Sequence, residues 1–124
     1  DLGPTLMDLC DVPSHQGVQG RSLVPVIDDP TESVRDHALI EDDLPSQTAR
    51  ALRIPHRIRT IVCDDGLKYT RFSNGDTLLF DLASDPAEMH ELSHPDPAKT
   101  ALVNERLLDA MMHSTDDARG APVS

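Results

Sequence analysis

Apolar and polar positions alternate most regularly between Ile58 and Leu82, and the rest of the chain can be read outward from there. Ile58, Thr60 and Val62 alternate with Arg59, Ile61 and Cys63. Asp65-Gly66 then gives a hairpin turn signal, and Leu67 to Phe72 returns as the partner strand. Asn74-Gly75 supplies a second turn, after which Leu78, Phe80 and Leu82 point one way from a third strand. Turns this short cannot carry a crossover, so the strands must run antiparallel. A further strand is expected upstream at 37–42, HALIED, with Ala38 and Ile40 on one face and His37, Leu39 and Glu41 on the other.

Helical spacing brackets this meander. Val103, Leu107, Ala110 and Met111, with Leu108 flanking, form a stripe wide enough to cover one face of a small sheet. That helix is expected to take Asp96 as N-cap and Pro97 as its first residue, and to end near His113. At the other end Leu2, Leu6, Leu9 and Cys10 share a helical face, with Pro4 tolerated in the first turn. Ser22 is placed to cap a one-turn apolar segment, Leu23 to Ile27. The stretch from Leu44 to His56, bounded by Pro45 and Pro55, reads as a loop or a frayed helical turn of the kind that often borders a binding site.

The pattern predicts an α+β fold: a four-stranded antiparallel sheet with a C-terminal helix packed on one face. The helix at the start has little to bury against within the chain and reads as the edge of a missing α/β domain. Residues 1–30 are assigned to the end of that large domain, 31–115 to the sheet and helix, and 116–124 to a loose tail.

Composition narrows the picture. Tyr69, Phe72 and Phe80 are the only aromatic residues, so the core must be aliphatic. A net charge of −11 argues against nucleic acid or an anionic membrane surface as partner. Cys10 and Cys63 make no disulfide framework and read as two buried or half-buried thiols in a reducing compartment, with a single bridge left open. No apolar run is long enough to span a membrane and no targeting segment is visible. Because Asp1 is not a start methionine and a helix is already under way, the chain is expected to continue a longer protein. Its arginine-rich basic set hints at a bacterial source, cytoplasmic or periplasmic.

Several stretches in this order resemble the C-terminal end of a sulfatase, in the alkaline-phosphatase-like superfamily. DLGPTLMDLC followed by GVQGRSLVPVI is similar to the segment closing the large domain of those enzymes. The run Lys68-Tyr69, Leu79-Phe80-Asp81-Leu82, Asp85-Pro86, Glu88 and Leu92 is similar to their smaller C-terminal subdomain. The resemblance implies a parent that hydrolyses sulfuric esters, or phosphonate or phosphate esters, with a formylglycine nucleophile and a bound calcium or magnesium. It implies none of these within the segment, because the family's catalytic motif, C/S-x-P-x-R, lies upstream of it. The nearest match, Cys10-Asp11-Val12-Pro13-Ser14-His15, has its proline one place too far on and no arginine in position, and Cys10 is expected to face inward on its helix.

The residues offer no other chemistry. The pairs Asp28-Asp29, Asp42-Asp43, Asp64-Asp65 and Asp116-Asp117 lack calcium-loop spacing and read as solvated turns. Only Glu41-Asp42-Asp43, ending a strand beside the long loop, stands apart from them as a denser acidic cluster. The six histidines lack zinc spacing, and no G-x-S-x-G elbow marks a nucleophile. His56, Arg57 and Arg59 are the candidate substrate contacts, at the rim of the parent's pocket, with salt bridges to the abundant acids as the plainer alternative. The segment alone is expected to be non-catalytic, to pair with the missing large domain of its own chain, and to self-associate when isolated. The rival reading is a free-standing α+β protein-interaction module.

Overall fold

Two tight turns set the registers of an antiparallel ladder in the computed structural model, which describes residues 1–15 and 17–119, with side chains as far as Ser114. Strands β1 (His37–Asp43), β2 (Arg57–Cys63), β3 (Leu67–Phe72) and β4 (Thr77–Asp81) pair in chain order as one four-stranded antiparallel sheet. Gly66 closes the first turn at a φ of 87°, where only glycine is unstrained, and an added Cβ would lie 3.2 Å from Ala83. The expected strands appear with ends moved by one residue.

The helices are α1 (Leu2–Leu9), α2 (Val24–Asp28), α3 (Ser46–Leu52) and α4 (Pro97–Arg119). By their contacts the described residues form two compact units, one of 37–110 and one of 1–36 with 111–119.

In the first unit, one face of the sheet carries the row Leu39, Ile61, Tyr69 and Leu79, aligned across the four strands. Val103, Leu107 and Ala110 of α4 are buried against this side, and Tyr69, Ile61, Leu79, Leu107 and Val103 are its largest fully buried side chains. Each such aliphatic burial is worth about 1.5–3 kcal/mol. The Tyr69 hydroxyl donates to Asn104 Oδ1 on the helix at 3.1 Å, so the polar end of this buried ring is satisfied. Asp96 caps α4 as expected, its carboxylate accepting from the Lys99 amide at 2.9 Å. The opposite face aligns Ile40, Thr60, Thr70 and Leu78, with Ile40 half exposed and the two threonine hydroxyls 2.8 Å apart.

The segment after β4 seals the sheet edge. Glu91 Oε1 accepts from the amides of Leu79 (3.0 Å) and Ser93 (2.5 Å), and the Leu92 amide donates to the Leu79 carbonyl at 2.8 Å. Lys68 reaches across to Glu88 with Nζ–O distances of 2.8 and 2.9 Å. Asp81 accepts from the Ala83 and Ser84 amides, and Asp85 from that of His90. The residues that carried the family resemblance are therefore the welds of this corner.

In the second unit, the Thr5 hydroxyl of α1 accepts from the Leu23 amide at 2.9 Å and Asp1 pairs with Arg35 at 2.5 Å. Here the expectations need correction. Cys10 does not face inward: α1 ends at Leu9, and Cys10 is exposed while Cys63 is buried. Leu2, Leu6 and Leu9, by contrast, are 76%, 62% and 60% exposed, as expected of a helix with little to bury against within the chain, and the buried residue of α1 is Thr5. α2 begins at Val24, one residue later than expected, with Ser22 Oγ accepting from the Val24 amide.

Three further differences concern element type and length. The stretch from Leu44 to His56 holds a proper two-turn helix, α3, whose buried residue is Ala49. α4 continues past His113 to Arg119, since nothing in HSTDDAR breaks a helix, so Asp116-Asp117 is helical rather than a turn; residues 120–124 of the expected tail lie outside the described residues. Asp42 and Asp43 likewise belong to strand β1 rather than to a turn.

Candidate functional site

His56, Arg57 and Arg59 lie where β2 begins, and the backbone there is tightly fixed. Asp43 stands opposite Arg57 and Glu41 opposite Arg59 in the β1–β2 register. The Leu44 amide donates to the His56 carbonyl at 2.8 Å, closing the loop that carries α3. The Ser73 amide donates to the Arg57 carbonyl at 3.0 Å, while Ser73 Oγ lies 3.3 Å from His56 Nδ1. This exposed serine–histidine contact joins the ends of β2 and β3. Among the described residues no carboxylate is hydrogen-bonded to His56, though it lies within electrostatic reach of Asp43.

The two arginines behave differently. Arg59 forks onto two acids of β1, with Nε 2.9 Å from Glu41 and Nη1 2.6 Å from Asp43, and its side chain is only 20% exposed. The Arg59 hydrogen bond holds the Asp43 carboxyl below its ordinary range, and the same bond raises Arg59. Its charge is therefore committed within the sheet. Arg57 is exposed and within electrostatic reach of Asp43, but makes no ion pair with it. Glu41 and Asp43 of the acidic strand end are thus partners of Arg59.

Nothing in the described residues fits the metal or nucleophile that the resemblance implies for the parent. Among them no three His, Cys, Asp or Glu side chains stand close enough to hold a cation. Cys63 is buried, and burial pushes its thiol up, away from the reactive thiolate. His90 faces Asp85 and His94 faces Glu91, each an exposed imidazole beside a turn carboxylate. A shallow hollow of about 370 Å³ opens among Phe72, Gly75, Asp76, Thr77, Leu78 and His94, and none of the three candidate contacts lines it. Among the described residues no helix is long and apolar enough to cross a membrane.

The basic character of this region extends further than sequence reading took it. Arg50 stands in the last turn of α3, and Arg53 is its C-cap at φ 55° and ψ 38°. The signal was present: no acidic residue occurs between Asp43 and Asp64.

No protein-family model and no curated protein matches the chain. Solved structures do. The phosphonate monoester hydrolase of Agrobacterium radiobacter shares 26% identity at a TM-score of 0.74, over 92% of this chain and 24% of that one. A 2-O GAG sulfatase shares 24% at 0.73, over 100% of this chain and 26% of that one. A protein solved with its substrate D-glucosamine-2-N,6-O-disulfate shares 23% at 0.67, over 96% and 24%. The chain thus spans about a quarter of the length of the structures it matches. Its neighbours are sulfatases and a phosphonate monoester hydrolase of the alkaline-phosphatase-like superfamily, consistent with the C-terminal part that the resemblance implies.

Proposed function

We propose that the chain is the C-terminal portion of a sulfatase-type hydrolase whose catalytic centre lies in sequence outside it. The single observation behind this reading is the likeness to the phosphonate monoester hydrolase, which runs along nearly the whole chain yet takes in only 24% of that enzyme. The parent would cleave sulfuric esters, with phosphonate or phosphate esters as the related alternative. A formylglycine and a calcium or magnesium ion would belong to the upstream part, since the described residues offer no cation site. The segment itself would complete the fold and wall one side of the substrate cleft, with His56 and Arg57 at its rim and Arg59 holding β1 in place. Its partner would be the large domain of its own polypeptide.

The test is the coding sequence upstream of Asp1, followed by an assay of the longer product. A C/S-x-P-x-R motif, and turnover of 4-nitrophenyl sulfate or of a phenyl phosphonate monoester that requires a divalent cation, are the expected results. A start codon directly before Asp1 would leave the chain without a catalytic centre and sink the proposal.

A further inference from the structure

We infer that the outer edge of β1 is a pairing site for a second copy of this chain. Two β1 strands lie antiparallel, with Ile40 opposite Ile40 of the partner subunit, and join the two sheets into one of eight strands. This pairing follows from β1 itself and does not depend on the hydrolase reading.

The two edges of the sheet differ. β4 is sealed on its outer side by Glu91 and Leu92, which bond the amide and the carbonyl of Leu79. β1 is the other outermost strand, and among the described elements only β2 runs beside it. Five of its seven residues are exposed, and Ile40, on the face away from α4, is 51% exposed. An edge of this length presents a row of amides and carbonyls to another strand. The usual blunting devices are missing from it: β1 has no proline, lysine or glycine, and it pairs with β2 residue for residue without a bulge.

Charge selects the occupant. In HALIEDD all three acids stand at the C-terminal end. Antiparallel pairing about Ile40 sets His37 opposite the partner's Asp43, Ala38 opposite the partner's Asp42 and Leu39 opposite the partner's Glu41, so no acid faces an acid. The neighbouring registers that keep each side chain on its own face are shifted by two residues. One sets Glu41 on the partner's Glu41, and the other sets Asp36 on the partner's Asp42. Parallel pairing in step would line up all three acids with their own kind. The strand is thus complementary to itself in one direction and one register, as a closed two-fold pair requires. Arg59 already neutralises Glu41 and Asp43 within each copy, which lowers the cost of bringing two chains of net charge −11 together at this edge. At the axis two half-exposed isoleucines leave water together.

The test is disulfide trapping in the full chain, with Cys10→Ser to remove the exposed thiol and Leu6→Glu to suppress association through α1. Residues directly opposite in an antiparallel pair have Cα atoms about 4.5–5.5 Å apart, within disulfide reach. Ile40→Cys should therefore cross-link to itself under mild oxidation. Its rate should exceed by about tenfold or more that of Asp42→Cys, whose two copies would lie about 13 Å apart along the strands. Ala38→Cys and Asp42→Cys should cross-link to each other when mixed, and not when oxidised separately. Without cross-linking, Ile40→Lys sets two ammonium groups across the axis and should abolish the dimer seen by light scattering. Circular dichroism should stay unchanged in that variant, since Ile40 is half open to water. The pairing is overturned by equal rates for Ile40→Cys and Asp42→Cys, by Ala38→Cys cross-linking with itself as fast as in the mixture, or by a dimer that survives Ile40→Lys. A chain that stays monomeric at high concentration overturns it too, and leaves the β1 edge to a strand of another polypeptide.

Discussion

Glu91 seals the exposed side of β4, and its carboxylate shows how one residue ties pH to the integrity of the sheet. Burial raises its pKa, but hydrogen bonds donated by Ser93, the Leu79 amide and His94 outweigh that and hold it at about 2, against 4.5 for a free glutamate. A carboxyl depressed in the folded state stabilises above its unfolded pKa, and that contribution is lost as pH falls through the folded one. The stabilisation should therefore be complete above pH 4.5 and drain away toward pH 2. Because Glu91 is partly open to water, its worth is discounted to about 1–2 kcal/mol. Urea titrations should find Glu91→Gln less stable by that amount at pH 7, with a flatter dependence between pH 5 and pH 2. A variant as stable as the parent protein at pH 7 would contradict the assignment.

Among the elements, the hairpin between β2 and β3 makes the sharpest demand on sequence. Gly66→Ala would place a Cβ at a φ of 87° and 3.2 Å from the Ala83 backbone and Cβ, so both strain and crowding oppose it. A loss of about 1–3 kcal/mol is expected, read as a lower denaturant midpoint with an unchanged slope. A midpoint equal to the wild type would mean the turn adapts.

The strands were legible from sequence because Asp65-Gly66 and Asn74-Gly75 dictate both turn and register. The β1–β2 pairing crosses a long loop, so no turn chemistry announces that Glu41 and Asp43 will face Arg59 and Arg57. The candidate site was therefore only half legible: the basic residues were visible, but not that Arg59 is already paired. α3 read as no more than a loop or a frayed helical turn because its buried side is little more than Ala49, too slight for a helical stripe. In α1 the period located the apolar face, and the shortage of partners for it within the chain was legible too: Leu2, Leu6 and Leu9 stay exposed.

For the whole molecule, that uncovered face has a measurable consequence. Leu2, Leu6 and Leu9 form an exposed apolar row on α1, and such rows seldom stay in water on a stable monomer. The isolated chain is expected to self-associate, with Leu6→Glu shifting the mass toward monomer in size-exclusion chromatography with light scattering. A clean monomer at high concentration would rule this out. At this scale the fold class was readable in advance because the two periodicities, of strand and of helix, already imply a sheet with one helical cover.

The contrast between the two thiols gives the protein a built-in spectroscopic handle. Cys10 is open to solvent, whereas Cys63 is buried and its pKa is raised by that burial. A maleimide dye should add once to the native chain and a second time only when the structure around β2 opens. The mass-spectrometric rate of that second addition then serves as a clock for opening of the core, needing no engineered residue and no knowledge of the substrate.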